Sequence, residues 1–171
     1  GTASAKELIA SLSTKYPENV ELMKLLASAQ VENGDKRDAE ETAKRALQVD
    51  PDEPDLHLFL GKINAESGQL DQAIHHLSQG IAHRTSNSEG YLLLSKVYEQ
   101  QREFTKALDT LNQAMEAAPQ DTRSYVAAAN LYKDSKNYSA AEKVLQKAVE
   151  IDPKHVTIRR QLGALLALKL V

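Results

Sequence analysis

Three of the chain's five histidines, His75, His76 and His83, fall close together, and such a cluster invites a metal-binding reading because neutral imidazole nitrogens are common transition-metal ligands. The spacing argues against it. On a helix, seven residues separate His76 from His83 by about 10 Å along the axis, and adjacent His75 and His76 diverge by about a hundred degrees. The three read instead as solvent-facing polar residues on the outer surface of one helix. Paired carboxylates are the next candidates for chemistry, but Glu40 and Glu41 lie one helical turn before Lys44 and Arg45, where ion pairing at the surface accounts for them. No glycine-rich phosphate loop follows a strand pattern, and no Gly-x-Ser-x-Gly elbow occurs. With no cysteine in the chain, thiolate zinc sites, disulfides and cysteine nucleophiles are excluded. The sequence implies no catalytic residue, no metal site and no cofactor.

Charge narrows the partners further. The net charge is -3 and the pI near 6.0, with basic residues interspersed among acidic ones, so the electrostatic footprint that holds phosphate backbones is missing and nucleic acid is not an expected partner. Hydrophobic residues make up 42% and charged residues 26%, the composition of a folded, water-soluble chain. No apolar run is long enough to cross a bilayer, and the opening GTASAKELIASLS lacks the pattern of a secretory signal, so the compartment is left open. Gly1 and Thr2 stand in place of an initiator methionine, ahead of a helix with no cap upstream, and we expect this to be a piece of a longer protein.

The elements that position these side chains are written twice over. YEQQREFTKALDTLNQAMEAAP and YKDSKNYSAAEKVLQKAVEIDP begin at Tyr98 and Tyr132, and a frame of 34 residues links them. The frame extends in both directions to four repeats, at residues 20–53, 54–87, 88–121 and 122–155. Ala39, Ala73, Ala107 and Ala141 recur at one phase and Pro51, Pro119 and Pro153 at another, with Thr85 as the departure. Within a repeat, Tyr91, Leu94, Val97 and Tyr98 and then Ala107, Leu111, Ala114 and Met115 fall at three- and four-residue steps, which predicts two one-sided helices. The helices break at NGD, SGQ, QRE and SKN, where Gly34 and Gly68 supply permissive backbone, and the second helix stops ahead of the prolines.

This pattern resembles the tetratricopeptide repeat. The residues that carry the resemblance are Leu60-Gly61, Gly68, Ala73, Leu77 and Gly80; Tyr91, Leu94-Ser95, Tyr98, Phe104, Ala107, Leu111, Ala114 and Pro119; and Tyr125, Ala128-Ala129, Tyr132, Tyr138, Ala141, Leu145, Ala148 and Pro153. The resemblance implies an all-α fold, a right-handed superhelical solenoid of antiparallel helix pairs with about ten helices, running over residues 1–171. Residues 1–19, through Ala5, Ile9, Leu12 and Pro17, fit the second helix of a partial repeat, and residues 156–171, through Leu162-Gly163 and Leu166, fit a first helix or a capping helix. Met23, Gln30 and Lys36, and then His57 and Asn64, stand where the family favours aromatics, so the first two repeats are expected to pack more loosely, with His57 as a packed substitute.

A stack of this kind has a concave face, and its side chains can be read as columns across the repeats. Leu58, Leu92 and Val126 form an apolar column; Ser28, Lys62, Lys96 and Asn130 the next; Glu32, Glu66, Gln100 and Asp134 a third; and Glu21, Asp55, Glu89 and Arg123 a fourth. Any one of these residues reads equally well as solvated helix surface. The column pattern favours a groove for an extended or helical peptide, lined by Leu58, Lys62, Glu66, Glu89, Leu92, Lys96, Arg123, Val126, Asn130 and Asp134. Some relatives clamp a C-terminal carboxylate, but this chain does not match that arrangement: from Lys24 the corresponding places hold Ser28, Phe59, Glu89 and Leu93, and from Leu58 they hold Lys62, Leu93, Arg123 and Ala127. The expected function is therefore a non-catalytic protein-interaction module or scaffold. A structural alternative is a spacer or self-assembling array that associates through its ends, because Ile158, Leu162, Leu165, Leu166, Leu168, Leu170 and Val171 offer more apolar surface than one stacked face hides. A missing second helix would cover the same surface.

Overall fold

A computed structural model describes residues 2–83 and 88–168, with the side chains of α1 described from Glu7 onward. Thr85, Leu170 and Val171, which entered the sequence argument, lie outside the described residues, as does the side chain of Ala5. The chain divides into two compact units, residues 1–84 and 85–171. The first holds α1 (Thr2–Lys15), α2 (Val20–Glu32), α3 (Lys36–Val49), α4 (Pro54–Glu66) and α5 (Leu70–His83). The second holds α6 (Ser88–Gln100), α7 (Phe104–Ala117), α8 (Thr122–Asp134), α9 (Tyr138–Ile151) and α10 (Val156–Leu168). Among the described residues there is no strand.

Helix starts follow from short polar side chains that satisfy free backbone N–H groups. Asn19 accepts from the Leu22 amide at 3.0 Å, Glu53 from Leu56 at 2.8 Å ahead of Pro54, Asp121 from Arg123 at 3.0 Å and Asn137 from Ala140 at 3.2 Å. Each helix pair is joined by the same left-handed turn. Gly34 and Gly68 take it at φ 87° and 75°, and Arg102 and Lys136 take it at 61° and 60° despite carrying a Cβ. The amide of the following residue then bonds back to the preceding helix, as in Asp35 to Gln30 and Glu103 to Tyr98, both at 2.8 Å.

In the first unit, α2 packs on α3 and α4 on α5, with α3 also against α4. Met23, Ala27, Ala39, Ala43, Ala46, Leu56, Leu60 and Ile63 form its core. In the second unit the same relation holds for α6 with α7 and α8 with α9, while α10 packs on α9. Ala39, Ala73, Ala107 and Ala141 are all fully buried, which is why small side chains recur there: two backbones meet at that point. Looser packing in the first unit is not what α4 and α5 display. Gly61 lies so close to α5 that a Cβ built on it would come within 2.5 Å of the Leu77 side chain. His57 and Asn64, departures from the aromatic pattern, are both buried. His57 fills the aromatic place and uses its Nε2 to reach the Pro51 carbonyl at 2.9 Å, just as the Tyr125 hydroxyl donates to the Pro119 carbonyl at 3.1 Å in the second unit.

Candidate functional site

In the second unit, a cleft of about 300 Å³ opens between α8 and α10. Arg123, Val126 and Asn130 line it from α8, and His155, Thr157 and Gln161 line it from the α10 side. Residues 123, 126 and 130 are one helical turn apart, so a single face of α8 presents a cation, an apolar side chain and an amide in order. Val126 is half-buried while Arg123 and Asn130 are exposed. The Oε1 of Gln161 is buried without a hydrogen-bond partner in the protein, an acceptor left over at the cleft wall.

Arg123 does not swing freely. Its Nε donates to Asp121 Oδ1 at 3.0 Å and its Nη2 to Asp121 Oδ2 at 2.6 Å and to Ser88 Oγ at 3.2 Å; the Ser88 hydroxyl in turn donates to Asp121. The hydrogen bond from Arg123 is the main reason the Asp121 carboxyl is pulled down to about 2; burial opposes the shift and the Ser88 bond reinforces it. The guanidinium is thereby fixed beside the cleft mouth with most of its surface still open. Neither Asp121 nor Ser88 was visible as a site residue in the sequence.

On α6, Leu92 is half-buried against the core formed by Ala107, Leu111, Ala128 and Leu131, and Lys96 and Glu89 are exposed. Asp134 on α8 is exposed as well. Between them lies Glu99, a residue the column reading missed. Burial, followed by the neighbouring Asp134 carboxylate, raises its pKa, and Lys96 works in the other direction.

The first unit has its own cleft, of about 170 Å³, lined by Lys24, Ala27 and Ser28 of α2 and by Asp55, Leu56 and Phe59 of α4. Lys24 Nζ bonds to Glu53 at 2.8 Å, Glu21 at 3.2 Å and Asp55 at 3.4 Å. Burial works against its charge, but the bonds to Glu53 and Glu21 more than reverse this and hold its pKa above the usual lysine range. Of the groove residues expected here, Lys62 is exposed, and Glu66 is exposed and paired with Lys36 at 2.7 Å. Leu58 is buried, packed so closely against Gly80 that a Cβ there would lie 2.7 Å from Leu58 Cδ2, and it is not among the residues that line this cleft.

His76 is half-buried rather than solvent-facing, and its Nδ1 lies 3.2 Å from Nδ1 of His57. His75 and His83 are exposed. Among the described residues no group of three or more histidines, aspartates or glutamates is placed to hold a metal ion, and no helix is long and apolar enough to cross a membrane.

None of the curated proteins matches the chain in sequence. Among solved structures, the crystal structure of MamA is 24% identical over 91% of this chain and 91% of its own, with a TM-score of 0.81. A thermophilic tetratricopeptide protein of Thermus thermophilus is 22% identical over 97% and 91%, with a TM-score of 0.71. YrrB, described as a tetratricopeptide protein with an unusual peptide-binding site, is 17% identical over 94% and 82%, with a TM-score of 0.72. These likenesses fix the fold class as an all-α helical repeat solenoid. Members of such families are in general interaction modules without catalysis. Sequence models described as tetratricopeptide repeat match residues 2–63 and 64–131, and another matches 122–155, which together span nearly all of the sequence; the chain belongs to the tetratricopeptide repeat family.

Proposed function

We propose that the chain is a non-catalytic scaffold that holds a peptide or an exposed segment of a partner protein against its inner helices, with repeats at 20–53, 54–87, 88–121 and 122–155. The observation that carries this reading is the cleft between α8 and α10, where Arg123, Val126 and Asn130 stand one turn apart and face His155, Thr157 and Gln161. An extended peptide carries what that wall lacks: backbone groups for the exposed Asn130 amide, an apolar side chain for Val126 and a carboxylate for the half-satisfied Arg123 guanidinium. Glu89, Leu92, Lys96 and Asp134 extend the same kind of surface along α6 and α8, and Lys62 and Glu66 supply it on α4. That YrrB is described as having a peptide-binding site supports the mode, without identifying the ligand. Nucleic acid is not a partner in this reading, since the clefts pair each cation with carboxylates. The test is recovery of partners from the source cell by wild type and by two double variants, Val126→Glu/Asn130→Ala and Lys62→Glu/Lys96→Glu. The first should lose the partners that wild type retains. Equal recovery by all three would place binding elsewhere.

A second reading, association of copies through their ends, is favoured by one observation. A Cβ at Gly61 would collide with α5, whereas at Gly163, its counterpart three repeats later, nothing lies within 4 Å, and Leu166 and Leu168 are exposed beside it. Light scattering tests this reading, which requires a dimer that resists dilution and is lost in Leu168→Glu.

A further inference from the structure

His57 on α4 and His76 on α5 share a single proton across their Nδ1 atoms, and the partners fix which ring holds it. The Pro51 carbonyl can only accept, so His57 Nε2, 2.9 Å away, is protonated. In neutral His57 the Nδ1 is then a bare lone pair, and His76 Nδ1, at 3.2 Å, must be the donor. The ring centroids are 5.4 Å apart; His57 is buried and His76 half-buried, so the His57 nitrogens depend on these two partners and not on bulk water.

Acid strains this arrangement. One added proton places a cation beside a buried ring, and two turn an N–H···N bond into two N–H groups facing each other at the same distance. The surroundings offer little relief. His75 stacks edge-on against His76 from the same helix with centroids 5.4 Å apart, Lys44 adds a positive charge from α3, and the opposing carboxylate, Glu40, is already bonded to Lys44 at 2.6 Å. The second unit solves the same packing problem without a titrating imidazole: Tyr125 stands at the His57 position and Val144 at the His76 position, each 68 residues on.

We propose that the His57–His76 bridge is a proton-sensitive latch, so that α4 and α5 of the first unit loosen in acid while the second unit, which carries tyrosine and valine at the matching places, is untouched by this route. Burial, then the neighbouring His57, His75 and Lys44, press the His76 pKa from 6.5 down to about 4. The sign follows. An unfolded His76 takes its proton near 6.5 and the folded one only near 4, so the contribution is complete above 6.5 and is lost as the pH falls between those values. The proposal stands apart from peptide binding and survives if that reading fails.

The experiment is hydrogen exchange of the whole chain at pH 7.0 and pH 4.5, corrected for intrinsic rates, read separately in peptides from α4–α5 and α8–α9. Wild type should lose protection in α4–α5 by roughly tenfold or more on going to pH 4.5, with α8–α9 changing far less. The double variant His57→Tyr/His76→Val, which copies the second unit, should remove that difference. Equal loss in both proteins, or equal loss in both units of wild type, overturns the proposal. Should the variant fail to fold, nitrogen-15 spectra of wild-type imidazoles decide: a His76 Nδ1–H tautomer titrating below pH 5 supports the latch, and a His76 titration near pH 6.5 refutes it.

Discussion

Gly61 and Gly163 occupy the same place in the 34-residue frame, and substituting alanine at each should give opposite results. Both lie inside helices, so each substitution gains about 1 kcal/mol from helix propensity alone. At Gly163 nothing lies within 4 Å of the added carbon, and the propensity gain is the whole effect. At Gly61 the added carbon would lie 2.5 Å from Leu77 Cγ, 2.7 Å from its Cδ2 and 3.2 Å from its backbone nitrogen. Leu77 is fully buried, so it cannot turn aside into solvent, and the backbone contact prevents a purely side-chain solution. Overpacking of this kind costs about 1–3 kcal/mol. Because the propensity gain is common to both variants, the difference between them isolates that cost: Gly61→Ala should be less stable than Gly163→Ala by about 1–3 kcal/mol, or roughly 2–12 °C in Tm for a chain of this size. Urea and thermal denaturation followed by circular dichroism would measure it. If the two variants gain stability equally, α4 and α5 do not meet at Gly61, and the account of why small residues recur at that phase is wrong.

Two further outcomes follow from the turns and caps. Arg102 and Lys136 hold left-handed backbone at φ 61° and 60°, so Arg102→Gly and Lys136→Gly should each raise stability by about 0.5–1 kcal/mol in the same denaturation assay, since relief of the Cβ clash exceeds the added unfolded-state entropy. Asp121→Asn keeps a competent cap but loses the charge-assisted bonds from Arg123, and should cost up to about 1 kcal/mol near neutral pH. It should also flatten the acid unfolding of α6–α8: the carboxyl, held down to about 2 from 3.8 chiefly by Arg123, contributes stability above the higher value that is lost as the pH falls to the lower one. Tyrosine fluorescence during acid titration, below the window in which His76 acts, would register the difference.

The helices were legible because their apolar periodicity is strong and because glycine and proline mark many of their ends. Even QRE and SKN, which lack glycine, were readable as breaks from their place in the frame, although the sequence could not say that Arg102 and Lys136 would themselves take the left-handed conformation. The buried alanines were legible for the same reason: a residue that is small at one phase of every repeat has a packing cause. Pair-specific contacts were not. His76 reads as an outer-face residue when α5 is considered alone, and only the crossing of α4 against α5 brings it to a histidine 19 positions earlier. Nor did the sequence show any sign of the ion-pair cluster at Lys24, which the α2–α4 approach surrounds with Glu21, Glu53 and Asp55.

The candidate groove divides along the same line. Reading columns assumes that each repeat presents its inner helix identically, and that holds where the facing second helix carries the same residue. Ala114 and Ala148 stand at one phase of α7 and α9, and the corresponding apolar residues of α6 and α8, Leu92 and Val126, are half-buried with part of each side chain still available. In α5 that phase holds Gly80 instead. The missing methyl opens a space, and Leu58 drops into it until a Cβ on Gly80 would touch the leucine at 2.7 Å. With one hydrogen in place of a methyl on the opposite helix, Leu58 turns into the α4–α5 contact, and Phe59, the next residue along α4, lines the cleft with Lys24 and Asp55. The first unit consequently offers an aromatic beside a carboxylate-bound lysine, where the second offers an aliphatic beside an aspartate-bound arginine. A segment that fits one of these surfaces has no chemical reason to fit the other equally well, so the two units should select different partner sequences.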